Sequence, residues 1–249
     1  MPKPPPVQGS IFDINVSVKR STEKQKPKHR FKDFRECLEK ITRGGKDNAS
    51  VFNCFVKLSA CALSLKMREG EYMEEIKRWS KDDLDLFMEA FSLLVSEMES
   101  NEFSDILGKH YMEWSLSDSA AKSRGEFHTP ECLCRMMAKS TITPESIEEA
   151  VSKKGYFSVS EPSCGAGATI LAIGHALAES GYGHLIRKLS VEAIDINKTS
   201  CDMCFINTTL WGIPCRVVHG NTLSQEKWNE WENIHFRYRY FPSQKQVER

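Results

Sequence analysis

The stretch Glu161-Pro162-Ser163-Cys164-Gly165-Ala166-Gly167 decides the fold class of this chain. It stands between a β-rich run, Tyr156–Ser160, and an apolar helical run, Ala168–Ala178. Two glycines around one small residue allow a tight turn and a close approach of the backbone to a ligand. The start of the following helix offers amide N–H groups and a positive dipole end. A glycine pair alone also fits an ordinary tight turn, so the neighbouring sequence has to decide.

Beyond this loop, short β-rich runs alternate with helical ones. Strands are predicted at Leu189–Ile194 and Arg216–His219, with a helix at Lys198–Trp211 between them. The alternation predicts an α/β fold with a parallel sheet and helices packed on it.

Polar residues end the second and third strands. Asp195 can hold both ribose hydroxyls of a nucleoside cofactor, as expected for a doubly wound sheet. Ile196 follows and can lie flat against an adenine ring. The Asn221 amide ends the third strand and can meet the adenine edge.

The sequence before the loop divides by charge. Residues 1–32 hold eight Lys and Arg against two acids, a net charge of +6, and are rich in proline. We interpret them as a flexible basic arm, either a solvated tail or a segment that touches phosphate. Residues 33–118 have a net charge of −7 and repeat apolar residues at helical spacing, which predicts a helical domain. Residues 119–249 form the predicted α/β domain.

Helix starts are marked within these segments. Ser80 with Asp83 has the spacing of a capping box. Thr129-Pro130-Glu131 and Thr143-Pro144-Glu145 each predict a helix with threonine as N-cap and proline in the first position.

Composition excludes several classes of protein. No apolar run approaches the 18 residues that predict a transmembrane helix. The proline-rich start lacks the apolar core of a secretory signal, so we expect a cytoplasmic protein. Nine cysteines in such a chain indicate reduced thiols rather than a disulfide framework. Cys132 with Cys134 and Cys201 with Cys204 suggest zinc, but both pairs fall in predicted helices, and we expect no metal.

Four ordered motifs resemble the N6-adenine DNA methyltransferases of the type I modification-subunit kind. The glycine loop resembles D-P-A-C-G-S-G, and Gly125-Glu126-Phe127-His128-Thr129-Pro130 resembles G-x-[FY]-Y-T-P. Residues 207–213 (NTTLWGI) and 220–223 (GNTL) resemble two later motifs, and Asp105-Ile106-Leu107-Gly108 with Tyr111 matches the helical lead-in. The resemblance covers about residues 102–224.

The resemblance implies a Rossmann-like core that binds S-adenosylmethionine. Phe127, His128, Thr129 and Pro130 would lie on the methionine side. The amino-acid moiety would lie near Glu161, Ser163, Gly165 and Gly167. Asp195 and Ile196 would hold ribose and adenine, and Asn221 would stand where the family has Asp. The implied partners are DNA and a specificity subunit or another restriction–modification subunit, with no membrane.

The family's catalytic tetrapeptide, [DNS]-P-P-[YFW], should follow the fourth strand, and no such tetrapeptide occurs in the sequence. Its polar residue activates the adenine amino group, and its aromatic stacks on the flipped base. The sequence also shows signals for only three or four strands, whereas the sheet of the family has seven. The chain is therefore either a methyltransferase module that borrows or lacks its catalytic half, or an inactive relic that binds cofactor, DNA or an anti-restriction partner. A pure protein-interaction module is a third reading.

The last residues hold two predicted elements. A short helix is expected from Glu226 to Trp231, then a strand from Ile234 to Phe241 with alternating aromatic and arginine residues. Arg237 and Arg239 are the candidate DNA contacts on this strand. The alternative is an edge strand with one buried face.

Overall fold

The computed structural model describes residues 30–115 and 129–239. Within residues 30–115, helices run over Phe34–Thr42 (α1), Asn48–Leu63 (α2), Glu69–Ile76 (α3), Lys81–Ser100 (α4) and Ile106–Ser115 (α5). Within residues 129–239, helices run over Glu131–Thr141 (α6), Pro144–Lys154 (α7), Ala168–Glu179 (α8), Lys198–Leu210 (α9) and Ile234–Arg237 (α10), with a 3-10 helix at Gly183–Lys188. The strands are Phe157–Glu161 (β1), Leu189–Asp195 (β2), Cys215–Asn221 (β3) and Glu226–Glu232 (β4).

The four strands form one sheet in the order β1-β2-β3-β4. β1, β2 and β3 run parallel, which confirms the predicted rhythm of strands and helices. β4 returns antiparallel to β3, with a register irregularity between His219 and Gly220. A Cβ on Gly220 would lie 2.3 Å from the Glu226 carbonyl oxygen, so glycine is required where the two backbones approach.

The predicted helix starts agree with the structure at two of three places. Ser80 and Asp83 form a complete capping box at the start of α4. The Thr143 hydroxyl accepts a hydrogen bond from Ser146 N at the start of α7. The prediction for Thr129 was wrong, because α6 begins at Glu131 with Pro130 at the N-cap and without a side-chain cap.

The two predicted elements at the carboxyl-terminal end were also wrong. Residues 226–231 form most of β4 rather than a helix, because the turn after Asn221 brings them back beside the edge of β3. The segment that begins at Ile234 is the short helix α10 rather than a strand. Asn233 caps it by accepting from Phe236 N at 2.9 Å, which fixes the helical turn. Residues 240 and 241 lie outside the described part of the chain.

Helices α1–α5 and the α/β part share one contiguous apolar core. Phe34, Phe55 and Leu94 from the helices belong to the same cluster as Val191 and Phe205. The predicted boundary between residues 118 and 119 lies outside the described residues, and the division into domains stays a prediction. No described helix is long and apolar enough to cross a membrane.

The two faces of the sheet differ in what covers them. Leu189, Val191 and Val217 point to the face on which α9 packs, and each is fully buried. The opposite face carries polar residues at most of the alternate positions, including the exposed Ser158 and Ser160, together with the partly buried Ile194 and the buried Val218. We call this opposite side the polar face; its polar residues are Ser158, Ser160, Ser190, Glu192, Arg216 and Glu230.

Candidate cofactor site

The glycine loop, residues 162–167, leaves β1 at the carboxyl edge of the sheet. Cys164 N donates to Ile194 O at 2.9 Å, which ties the loop to β2. Gly165 and Gly167 have φ values of 51° and 91°, in the region that other residues rarely adopt. A Cβ on Gly167 would lie 3.1 Å from Cys204 Sγ. The two glycines are therefore required by backbone conformation, and the second also by the close approach of α9.

Glu161 holds the far end of the same loop. Its Oε2 accepts a hydrogen bond from Thr169 Oγ1 at 2.7 Å, and its Oε1 accepts from Ser163 N at 3.4 Å. Gly167 occupies the N-cap of α8 and supplies no side-chain cap. The Glu161 carboxylate therefore lies beside the start of α8, where the helix dipole favours negative charge. Thr169 was not singled out from the sequence, although a hydroxyl in the first turn after such a loop is a readable signal.

Asp195 ends β2 and joins the two loops of the site. Its Oδ2 accepts from Gly165 N and its Oδ1 from Asn197 N, both at 2.8 Å. A carboxylate has about four lone-pair positions, so each oxygen keeps capacity to accept from a ligand hydroxyl. Asp195 is therefore placed as the sequence predicted, beside the glycine loop and at the end of the second strand.

Asn221 ends β3 and shapes the turn into β4. Its Oδ1 accepts from Leu223 N at 3.0 Å and from Ser224 N at 3.3 Å. The oxygen expected to meet the adenine amino group is thus used by the turn. Thr222 Oγ1 donates to Pro162 O at 2.6 Å, so the turn reaches across the end of β2 to the glycine loop. Thr222 is a second site residue that sequence reasoning missed.

An apolar and aromatic surface lies beside Asp195. The Ile196 side chain is 61% exposed, and its carbonyl is 3.2 Å from His219 Nε2. The His219 ring packs edge-on against Trp228, with ring centroids 4.9 Å apart. Trp228 comes from β4, which the sequence predicted as a helix, so its approach to His219 could not be foreseen. The surface can accept the flat face of a nucleobase.

The other predicted cofactor residues lie on the helical side. Thr129 and Pro130 line a cavity of about 350 Å³ together with Asp105, Gly108 and Ala168. Because Ala168 is the first residue of α8, this cavity adjoins the glycine loop. The predicted residues Phe127 and His128 lie outside the described part of the chain.

These residues fit S-adenosylmethionine by their charge and shape. Glu161 and Asp195 place carboxylates at the ends of β1 and β2. Such a pair favours a ligand that carries ammonium or sulfonium charge and hydroxyl groups, and disfavours a pyrophosphate. Gly165 and Gly167 leave room for close approach, and the exposed Ile196 offers an adenine contact.

Three of the four cysteines considered for zinc are buried thiols. Burial raises the pKa of Cys201 well above its usual range. Hydrogen bonds with Cys164 and Cys215, together with burial, raise the pKa of Cys204 in the same direction. Cys134 is also buried, and burial raises its pKa, whereas Cys132 is exposed. Within the described ranges no group of three or more His, Cys, Asp or Glu side chains is arranged to hold a metal ion.

The candidate DNA contacts lie away from these loops. Asn233 N donates to Cys215 O, so α10 begins at the amino end of β3, opposite to Asp195 and the glycine loop. The Arg239 guanidinium lies 3.2 Å from the Phe236 ring centroid, and Arg237 is exposed. The structure does not bring these two arginines to the cofactor site, and their role in DNA binding stays a prediction.

Comparison with known proteins identifies the family. The model of the N-6 DNA methylase family matches residues 102–238, more than half of the chain. No curated protein sequence matches the chain.

Two solved structures match most of this chain at low similarity. A putative class I S-adenosylmethionine-dependent methyltransferase from Listeria monocytogenes is 13% identical, with a TM-score of 0.41, over 78% of this chain and 54% of its own. A type I restriction–modification methyltransferase subunit from Streptococcus thermophilus is 14% identical, with a TM-score of 0.39, over 79% of this chain and 40% of its own. This chain therefore spans about half or less of the length of these structures.

The family match covers every described element that builds the site, from Asp105 and α6 to β1, β2, β3 and their loops. The acidic strand ends and the glycine loop suit the cofactor of such enzymes. The chain belongs to the N-6 DNA methylase family, and its cofactor is S-adenosylmethionine.

Proposed function

We propose that this chain is the cofactor-binding part of a methyltransferase that transfers a methyl group from S-adenosylmethionine to adenine N6 in DNA. The activity belongs to a restriction–modification system in the cytoplasm and works with a specificity subunit or another subunit of that system. The residues that activate the adenine amino group come from a second segment or from a partner chain, since the sequence lacks the family's catalytic tetrapeptide.

The proposed binding of the cofactor rests on one observation, the hydrogen bonds of the Asp195 carboxylate. Asp195 accepts backbone hydrogen bonds from Gly165 and from Asn197, so a single carboxylate fixes both loops at the carboxyl edge of the sheet. Its oxygens keep lone pairs for ribose hydroxyls. Glu161 adds a second carboxylate at the start of α8, where the cofactor's ammonium group can be held.

The sheet supports the other half of the proposal. Within the described residues β1 pairs only with β2, which leaves one edge of β1 without a strand. The glycine loop leaves from this edge strand, so a segment added there would lie directly beside the methyl donor. Ser158 and Ser160 on the polar face are exposed and small, and they leave space for such a segment. An unpaired strand edge of this kind otherwise promotes unwanted pairing with other chains.

A binding protein without turnover is the second candidate. It rests on the same absence of the family's tetrapeptide from residues 1–249. It keeps the same cofactor loops, and its role would be to hold cofactor, DNA or a partner subunit. The two candidates differ only in whether a methyl group reaches adenine.

Cofactor binding is tested by calorimetric titration of the purified chain with S-adenosylmethionine, beside Asp195→Ala. We expect micromolar binding that the variant loses, because both the ribose contact and the tie between the loops disappear. Asp47→Ala is the matched control, since Asp47 also accepts a backbone N–H, from Ser50, but at the start of α2. Absence of binding by the unmodified chain would overturn the cofactor half of the proposal.

Turnover is tested by transfer of a labelled methyl group to DNA, with and without candidate partner subunits. We expect label on adenine N6 only when the partner is present. Binding of cofactor without transfer under every pairing would favour the second candidate. Rapid methylation by this chain alone would contradict the proposal that the activating residues come from elsewhere.

A further inference from the structure

Two hydrogen-bonded bridges join the start of α5 to the two loops of the cofactor site. The first runs from Asp105 to the glycine loop, and the second from Tyr111 to the loop after Asp195. Asp105 and Tyr111 are buried, with 6% and 5% of their surface exposed. Both bridges cross from the helical part of the chain to the α/β part.

The first bridge passes through Asn207, a fully buried residue of α9. Its Nδ2 donates to Ala166 O at 2.8 Å and to Asp105 Oδ1 at 3.1 Å. Asp105 Oδ1 also accepts from Gly108 N at 2.8 Å, which fixes the carboxylate at the start of α5. Because both neighbours of the amide are acceptors, only its NH2 group can face them. The orientation of Asn207 is therefore set by its surroundings.

This bridge holds one peptide unit of the glycine loop from both sides. Asn207 Nδ2 binds the Ala166 carbonyl oxygen, while Gly167 N on the same peptide unit donates to Cys164 O at 2.8 Å. Gly167, which bounds that unit, and Gly165, one residue before it, both have positive φ values. Glycines allow such a peptide to rotate at low cost. The two hydrogen bonds oppose this rotation and keep the loop in the shape that the cofactor would meet.

The second bridge holds the loop after β2. Asn197 Nδ2 donates to Tyr111 Oη at 3.2 Å, and Asn197 Oδ1 accepts from Thr199 N at 2.8 Å. Asn197 N donates to Asp195 Oδ1. Tyr111 therefore acts on the Asp195 carboxylate through one intervening residue, Asn197, at the side of the loop that faces α5.

We infer that Asp105, Asn207 and Tyr111 are positioning residues that hold the two cofactor loops in register with each other. None of them needs to contact the cofactor for this role. The helical part of the chain thus serves the site directly, through α5. The inference rests on the proposed binding of S-adenosylmethionine by these loops, and it names residues beyond those that the loops themselves supply.

The decisive comparison uses two buried asparagines. Asn233 is also fully buried, and its Nδ2 donates to Ile213 O at 2.8 Å, at the amino end of β3. Asn207→Leu and Asn233→Leu each remove one buried amide bonded to a backbone carbonyl, so both should lower the thermal midpoint. We expect only Asn207→Leu to weaken binding of S-adenosylmethionine, by about tenfold or more, as for one buried hydrogen bond lost from a site. Asn233→Leu should change the affinity by less than about twofold.

Milder variants keep the test decisive if either leucine variant fails to fold. Asp105→Asn retains Oδ1 as an acceptor for Asn207 and Gly108, so it should bind the cofactor nearly as well as the unmodified chain. Asp105→Ala lacks that acceptor and should bind more weakly. Tyr111→Phe removes the acceptor for Asn197, and Tyr72→Phe is its control on α3. Equal affinity of Asp105→Ala and Asp105→Asn would overturn the inference.

Amide hydrogen exchange without ligand separates this inference from the proposed function. We expect Asn207→Leu to speed exchange at Gly165 and Gly167, and Asn233→Leu to leave both unchanged. If the unmodified chain fails to bind cofactor but this difference remains, the proposed function fails and the positioning role stands. If both asparagine variants change exchange and affinity equally, the positioning role is overturned and Asn207 has only a structural role.

Discussion

On β2, Leu189, Val191 and Ala193 are fully buried against the helices, whereas Ser190 and Glu192, on the other side of the same strand, are only partly buried. One side of the strand is part of the buried apolar core, and the other side carries polar residues, as a protein surface does. Parallel sheets usually carry helices on both faces, and their strands then read as continuous apolar runs. The alternation in β2 shows that only one face is built to be covered within the described residues.

The charged groups show the same contrast. Arg68 pairs with Asp202 at 2.6 Å on the covered side, where both side chains are at most 3% exposed. Arg216 pairs with Glu192 and with Glu230 at 3.4 Å on the polar face, where the side chains are 34–41% exposed. Buried pairs are costly to break because a charge is left without a partner, whereas surface pairs contribute little. The ion pairs of the polar face are therefore weak, and its apolar contacts are few: Val218 is buried there, and the Arg216 guanidinium lies 5.4 Å from the Phe236 ring centroid.

Breaking the buried ion pair should have one of the two largest effects. Asp202→Asn leaves the Arg68 guanidinium with only Glu71 as a carboxylate partner, and should lower the free energy of unfolding by about 3 kcal/mol. Arg216→Met on the polar face should change it by less than about 1 kcal/mol. Urea unfolding of both variants measures the difference. Similar losses would contradict the distinction between the two faces.

Two neighbouring residues of β2 test the same difference between the two faces of the sheet without changing a charged group. Leu189→Ala opens a cavity in the core and should cost about 2–5 kcal/mol of unfolding free energy. Ser190→Ala, on the other side of the same strand, should stay within about 0.5 kcal/mol of the unmodified chain. Thermal and urea unfolding of the two variants test this. A loss at Ser190 as large as at Leu189 would mean that the polar face is covered in solution.

Acid should weaken the network on the covered side. Burial raises the pKa of Glu71, but hydrogen bonds and charge from Arg68 and Lys198 outweigh it and hold the pKa at about 2. A carboxylate with a lowered pKa contributes stability above its unfolded value, and loses it as pH falls toward the folded one. The urea midpoint should therefore fall between about pH 4.5 and pH 2. In Glu71→Gln this part of the pH dependence should be smaller.

Apart from the variants on the polar face, the smallest effect on the free energy of unfolding is expected for a residue at the carboxyl edge of the sheet, where its two faces meet. Thr222→Val removes the exposed hydrogen bond to Pro162 O and keeps the shape of the side chain. The free energy of unfolding should change by less than about 1 kcal/mol. The release rate of S-adenosylmethionine should rise, since the turn no longer holds the glycine loop, and stopped-flow displacement measures it. An unchanged release rate would show that the turn does not restrain the loop.

Local signals in the sequence predicted much of the fold. The bounds of the three parallel strands agree with the predicted bounds to within one or two residues. They could be predicted because alternating apolar residues and a glycine loop are signals that depend only on neighbouring residues. Ser80 and Thr143 were predicted as helix caps by the same kind of signal. β4 and α10 were not predicted, because β4 forms by pairing with β3, and the Asn233 side chain that caps α10 is held by Cys215 N, 18 residues earlier in the chain.

The candidate site divides in the same way. Residue type and position at the end of a strand were enough to identify the glycine loop, the acid at Asp195 and the polar end of β3. That Asn221 shapes its own turn, and that Trp228 lies beside His219, follows from the packing of β3 and β4.

The same holds for the supports behind the loops. The hydrogen bond between Asp105 and Asn207 joins residues 102 positions apart, and that from Asn197 to Tyr111 spans 86 positions. No periodicity or spacing in the sequence encodes which distant polar groups meet, because that depends on how α5 and α9 pack. The sequence therefore specified the loops of the candidate site, and the packed core specified what holds them in place.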